Sequence, residues 1–165
     1  MYELDENEDP DVPLIRAFLE VGVDPNATDH VGWTALMLGV DGGINKNPEV
    51  IKALLDGGAD PNLQIDERGG KDQLGRTALM IAAKWNTQEV VKALIDGGAD
   101  LEIRDNDGMT ALMFAAAYGS AEVVKTLLDA GASVKTKDNE GREALDFARR
   151  NNRMRKSEVI GRLRA

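Results

Sequence analysis

A chain of 165 residues is long enough for one domain with a continuous core. Its 29 acids against 20 Lys and Arg give a net charge of −9 that argues against a nucleic-acid partner, since most of the surface would repel phosphate. With no cysteine there is no disulfide and no thiol nucleophile, and no run approaches the roughly 18 apolar residues that a membrane helix needs.

The first eleven residues are acidic where a secretory leader would begin basic, and they hold too few apolar side chains to order themselves. Residues 13–22 are predicted as a helix with Leu14, Ile15, Phe18 and Leu19 apolar. A partner helix of normal quality is missing before it. Either the acidic segment closes this end, or the chain is trimmed from something longer. The motif Gly32-Trp33-Thr34-Ala35-Leu36-Met37 follows and then recurs as Gly75-Arg76-Thr77-Ala78-Leu79-Met80, as Gly108-Met109-Thr110-Ala111-Leu112-Met113, and as Gly141-Arg142-Glu143-Ala144-Leu145. The spacing is 43 residues once and 33 residues twice.

Each restart reads as two short amphipathic helices joined by a turn. In the best-formed copy, Thr77 is placed to cap the first helix with its hydroxyl, and Trp85-Asn86-Thr87 breaks it. Val90, Val91, Leu94 and Ile95 make one apolar face of the second helix, which exits at Gly98. Helices this short need neighbours, because nucleation is costly and each exposes an apolar stripe. Self-similarity at 33 residues with two helices per unit resembles the ankyrin repeat family.

That resemblance implies an all-α repeat solenoid of helix-turn-helix units carrying β-hairpin fingers, with an N-terminal half repeat and a C-terminal cap. The expected divisions are an acidic tail over 1–11, a half repeat over 12–28, repeats over 29–71, 72–104 and 105–137, and a cap repeat over 138–165. The family's Thr-Pro-Leu-His stands here as Thr-Ala-Leu-Met, which removes its buried histidine and puts its polar ties between repeats in question. The long unit carries three extra residues within Asp41 to Pro48 and seven within Leu63 to Asp72. The seven are expected to project as a long finger, because lengthening a surface loop costs little. In the last unit Glu143 replaces the capping Thr, and a closing helix over 157–164 turns Val159, Ile160 and Leu163 inward.

Catalytic or metal chemistry is not expected. His30 is the sole histidine and sits at a turn, a setting that supplies neither a general base with a partner nor a zinc site. Asp105-Asn106-Asp107-Gly108 imitates a calcium loop, but Ile103 and Phe114 fall where that loop needs carboxylates. Gly69-Gly70-Lys71-Asp72 lacks the spacing of a phosphate loop. No cofactor is expected.

The resemblance instead implies a non-enzymatic module that binds another protein through a concave groove and its fingers. Carried over by position, the binding residues are Trp33, Arg76, Met109 and Arg142 after the turn glycines, and Lys84, Trp85 and Tyr118 at the ends of first helices. Leu74 and Arg68 of the long finger complete the set. Trp, Tyr, Met and Arg are types enriched at interface centres. Trp85 and Tyr118 stacking on each other is the competing, purely structural reading. A dedicated inhibitor that pushes the long finger into an enzyme's cleft is the alternative function. The unbound chain is expected to be a monomer, with no membrane or nucleic-acid partner. Its compartment stays open: the cytoplasm is favoured, with the periplasm or secretion open if the N-terminus is trimmed. Charge is also uneven along the chain. Residues 1–30 carry nine acids against Arg16 alone, and residues 141–165 carry eight bases against three acids. Terminal units facing water account for this, and steering of an oppositely charged partner is the other reading.

Overall fold

The computed structural model describes residues 11–41, 47–85, 87–154 and 157–164. The acidic stretch 1–10 and most of the first predicted insertion, 42–46, lie outside the described residues. Helices form two layers. The first holds α2 (Ala35–Val40), α4 (Ala78–Trp85), α6 (Ala111–Tyr118) and α8 (Ala144–Arg150). The second holds α1 (Asp11–Glu20), α3 (Pro48–Asp56), α5 (Gln88–Asp96), α7 (Ala121–Asp129) and α9 (Val159–Arg162). Within each layer every helix packs on the next, and each first-layer helix packs on the second-layer helix that follows it. This is a helical repeat in which a unit buries its apolar stripes only against its neighbours.

The two layers differ because their neighbours differ. Helix α6 lies between α4 and α8 and over α7, and Ala111 to Ala116 are all buried, so the helix has almost no polar face. Second-layer helices bury one stripe, such as Val90, Val91, Ala93 and Leu94 in α5, and keep Gln88, Glu89 and Lys92 in water. Met37, Met80 and Met113 are each 1% exposed, so the Thr-Ala-Leu-Met pattern places a flexible apolar side chain at the same buried height in three units. Small residues let the first layer close. A Cβ on Gly119 would stand 2.5 Å from the Ala83 carbonyl oxygen. The predicted helix exit also forms: Gly98 has φ +89°, a left-handed conformation open to glycine.

Caps follow the sequence in part. The Thr34 and Thr77 hydroxyls accept from the Met37 and Met80 N–H groups at 3.3 and 3.4 Å, whereas Thr110 makes no side-chain cap bond. Where Glu143 replaces Thr, the Asp146 carboxylate accepts the Glu143 N–H at 3.1 Å. The first turn of α8 is therefore tied from inside the helix. Among the described residues the connections carry no strand, and the expected hairpin fingers are bonded turns with one isolated antiparallel bridge, Thr28–Thr34.

Polar ties between units are present, although not through histidine. The Asn26 side chain donates to the Gly58 carbonyl and accepts the Asp60 N–H, at 3.1 and 2.7 Å. Asn62 repeats both bonds one unit later, with Gly98 and Asp100. Glu102, at the next such position, accepts from Ser133 N–H and the Thr136 hydroxyl. The turns are joined as well: Asn106 N–H donates to the Leu74 carbonyl and Asn139 N–H to the Asp107 carbonyl.

The long unit departs from the others in a specific way. In three units an aspartate opens the turn: Asp29, Asp105 and Asp138 each donate N–H to the residue four later and accept two turn N–H groups on Oδ1. In the long unit Ile65 takes the corresponding backbone bonds, donating to the Arg76 carbonyl and accepting from Gly75 N–H. Nine residues, 66–74, therefore stand where Asn106 and Asp107 suffice in the next turn. The insertion lies inside the turn tip, and it does not simply project. A 3-10 turn over Glu67–Gly69 folds it back, and the Arg68 guanidinium donates to both Asp66 oxygens, the Asp29 carbonyl and the Thr28 hydroxyl.

Candidate functional site

The wall of interest is made by the outer ends of the first-layer helices and the turns before them. Each turn glycine fixes the next residue at the mouth of the wall, which places Trp33, Arg76, Met109 and Arg142 in a row. Five residues on, one helical turn into each first-layer helix, a second row holds Leu38, Ile81, Phe114 and Phe147. The sequence reading missed this second row, because Phe114 and Phe147 look like ordinary core residues of amphipathic helices. The signal was their fixed distance from the turn glycine.

The two rows interlock through cations on aromatic faces. Arg76 Cζ lies 4.9 Å from the centre of the Phe114 ring, one unit away, and Arg142 Cζ lies 4.8 Å from Phe147. Lys84 Nζ lies 4.4 Å from the Trp85 ring and 5.1 Å from Tyr118. Lys84 thus bridges the two exposed rings, and the ring contact of Tyr118 is with Phe114, at 6.4 Å and 36°. Trp85 and Tyr118 are each 54% exposed. Burial, reinforced by the charge of Arg76 and opposed by Asp41, holds the Lys84 ammonium below its ordinary range. Trp33, Asp41, Asp72, Arg76, Lys84 and Trp85 are among the residues that border an open depression of about 340 Å3.

Two arginines in the same row have opposite surroundings. Arg142 is held by Asp138 Oδ2 through Nε and Nη2, each at 2.7 Å, and by Glu140 at 2.7 Å. Burial pushes the Asp138 carboxyl up, but the Arg142 N–H, its guanidinium and the Glu140 N–H outweigh it and hold the group below 3.8. Arg76 has Ile65 where Arg142 has Asp138. Its Nε is buried with no hydrogen-bond partner among the described residues, and Asp105 Oδ2 stays 3.9 Å away. Asp105 is itself held above its ordinary value by burial, with the neighbouring Asp107 adding to it, against the N–H bonds of Met109 and Asp107 and the charge of Arg76.

The remaining predicted contact residues are placed differently. Met109 is 8% exposed and belongs to the core. Leu74 is half-buried and its carbonyl is taken by Asn106. Arg68 is spent on the fold-back of its own loop and does not reach the depression. His30 is exposed at its turn. A second depression of about 310 Å3 opens between α5 and α7 on the far layer, and Asp129 on its border pairs with Arg162 of α9 at 2.7 Å.

Among the described residues no three or more His, Cys, Asp or Glu stand where they could hold a metal, and no helix is long and apolar enough to cross a membrane. A family model described as ankyrin repeats (3 copies) matches residues 43–138 and 91–159. The chain is also similar to the mitochondrial disaggregase of Bos taurus, 46% identical over 55 residues, which is 33% of this chain and 8% of that protein. The Homo sapiens mitochondrial disaggregase matches at 46% over 52 residues, 32% of this chain and 7% of that one. The matched stretch therefore covers less than a tenth of the length of these curated relatives.

Proposed function

Because the chain belongs to the ankyrin repeat family, matched over residues 43–159, 117 of its 165, and such repeats are generally protein–protein interaction modules, we propose that it is a non-enzymatic module whose protein partner lies along the first-layer wall, in a concave groove. Residues 12–28 serve as half a unit at one end and 138–165 close the other. The observation that carries this reading is the exposure of Trp85 and Tyr118 on the same wall, both gripped by Lys84. Large rigid rings beside cations are the side chains that dominate binding energy once water is excluded from them. Trp33, Arg76, Lys84, Trp85, Tyr118 and Arg142 form the proposed contact set. Met109 supports it from below. The inhibitor alternative has less behind it, since the long loop that would enter an enzyme's cleft is tied by Arg68 to the preceding turn.

The test is a photo-crosslinking side chain at position 118 and, separately, at Lys92 on the opposite layer, in lysate of the source organism. A discrete protein adduct from position 118 and none from 92 is expected. The Trp85→Ala, Tyr118→Ala double variant should then lose about 2–4 kcal/mol of affinity for that protein while its denaturation midpoint moves little. Adducts from position 92 alone would place the interface on the other layer.

A further inference from the structure

The long unit places no aspartate in the turn-opening position, which leaves Arg76 with a looser counter-ion than Arg142 has, at the edge of a depression. Three turns open on Asp, and Arg142 shows what that carboxylate does when arginine follows the turn glycine: three bonds at 2.7 Å, two to Asp138 and one to Glu140. Arg76 occupies the same place behind Ile65, which offers backbone bonds and no carboxylate. The nearest acid, Asp105, belongs to the next unit and spends Oδ1 on the Asp107 and Met109 N–H groups, at 3.0 and 2.8 Å. Its Oδ2 stops 3.9 Å from an Arg76 Nε that is buried and makes no hydrogen bond among the described residues. A buried donor without a partner costs free energy, more so when the donor is charged. Lys84 lies on the same border and brings a second positive charge, which the Phe114, Trp85 and Tyr118 rings hold in position with that of Arg76.

We propose that the depression bordered by Trp33, Arg76, Lys84 and Trp85 is a carboxylate site, which receives the side chain of an Asp or Glu of the protein partner. Its oxygens accept from the Arg76 guanidinium, in place of the aspartate that Ile65 displaced. Lys84 supplies the second charge, and the two indoles flank the entering side chain. Asp41 and Asp72 on the same border set the ligand's charge: they tolerate a monoanion between two cations and oppose a phosphate dianion. This inference rests on the first-layer wall being the binding face, and adds what the partner must present there.

The experiment is an array of fluorescent octapeptides with random flanks and a central Glu, Gln or phosphoserine, titrated against the whole chain. Glu peptides should be retained over their Gln counterparts by about tenfold or more, the range of a charge-assisted bond in a desolvated site. Phosphoserine should bind more weakly than Glu. Arg76→Met should abolish the preference, Lys84→Met should reduce it, and Lys92→Met should leave it intact. Ile65→Asp should return to Arg76 the partner that Arg142 has, and lower Glu-peptide affinity by about tenfold. If that buried substitution fails to fold by circular dichroism, Arg76→Met decides alone. Equal retention of Glu and Gln, a preference for phosphoserine, persistence in Arg76→Met, or no retained peptide would each overturn the carboxylate site. The crosslink at position 118 judges the wall separately, so a wall that binds protein without this preference leaves the broader reading standing.

Discussion

Two aspartates in equivalent turns carry opposite electrostatic signs, and the difference is measurable. The folded value of Asp138 lies below 3.8, so its contribution to stability is present above the unfolded value and is lost as pH falls through the folded one. That of Asp105 lies above 3.8, so its contribution is present below the unfolded value and is lost as pH rises through the folded one. Asparagine at either place keeps an acceptor for the turn N–H groups and removes the charge. The deficit of Asp138→Asn should therefore grow between about pH 2.5 and 6, and that of Asp105→Asn should shrink over the same interval, read from urea midpoints. Parallel slopes would mean that the two aspartates share the same surroundings. None of this was legible beforehand. In the sequence each turn glycine follows an aspartate by three residues, Asp29, Asp72, Asp105 and Asp138, so the repeat was expected to open at Asp72, whereas the structure gives the turn-opening backbone bonds to Ile65.

At the scale of elements, much more could be read. Helix pairs, their apolar faces and the left-handed exit at Gly98 follow from period and glycine placement, and α5 runs from Gln88 to Asp96 as its Val and Leu pattern requires. Caps were less legible: threonine stands before α2, α4 and α6, yet Thr110 makes no cap bond while Thr34 and Thr77 do. The geometry that decides this is set by packing of the preceding turn. The long loop was legible in length and not in posture. It was expected to project, but Asp66 orients Arg68 through both carboxylate oxygens, and Arg68 reaches the turn before it. Deletion of residues 66–72 should leave a two-residue tip between Ile65 and Gly75 like the one between Asp105 and Gly108. Helicity should persist and the thermal midpoint should shift little, since loop length enters closure entropy only logarithmically. Arg68→Ala should likewise leave the midpoint in place, yet speed cleavage after Glu67 by a glutamate-specific protease. Unchanged cleavage would show that the loop is held by something other than Arg68.

For the whole molecule, stacking makes stability a sum of unit and neighbour terms, so damage at one end should stay there. Leu163 is 1% exposed in the turn after α9, which packs on α7 and α8. Leu163→Ala should cost about 2–4 kcal/mol locally. Faster amide exchange is expected across α8 and α9, with little change in α4 and α5. Uniform acceleration along the chain would instead reveal a single cooperative block. The stitching by Asn26, Asn62 and Glu102 runs through this array at each step, and it replaces ties that the sequence, judged by its lost histidines, had put in question. One further property follows from where the indoles sit. The chain has two tryptophans, Trp33 and Trp85, and both border the same depression while the buried core is built from Ala, Leu, Val, Ile, Met and Phe. Ultraviolet emission from this protein is therefore a meter of the depression's contents, nearly blind to the melting of distant helices. An arriving acidic side chain should change its intensity, and Trp85→Phe should remove most of that response. The molecule carries its own optical label at the place where a ligand would first be noticed.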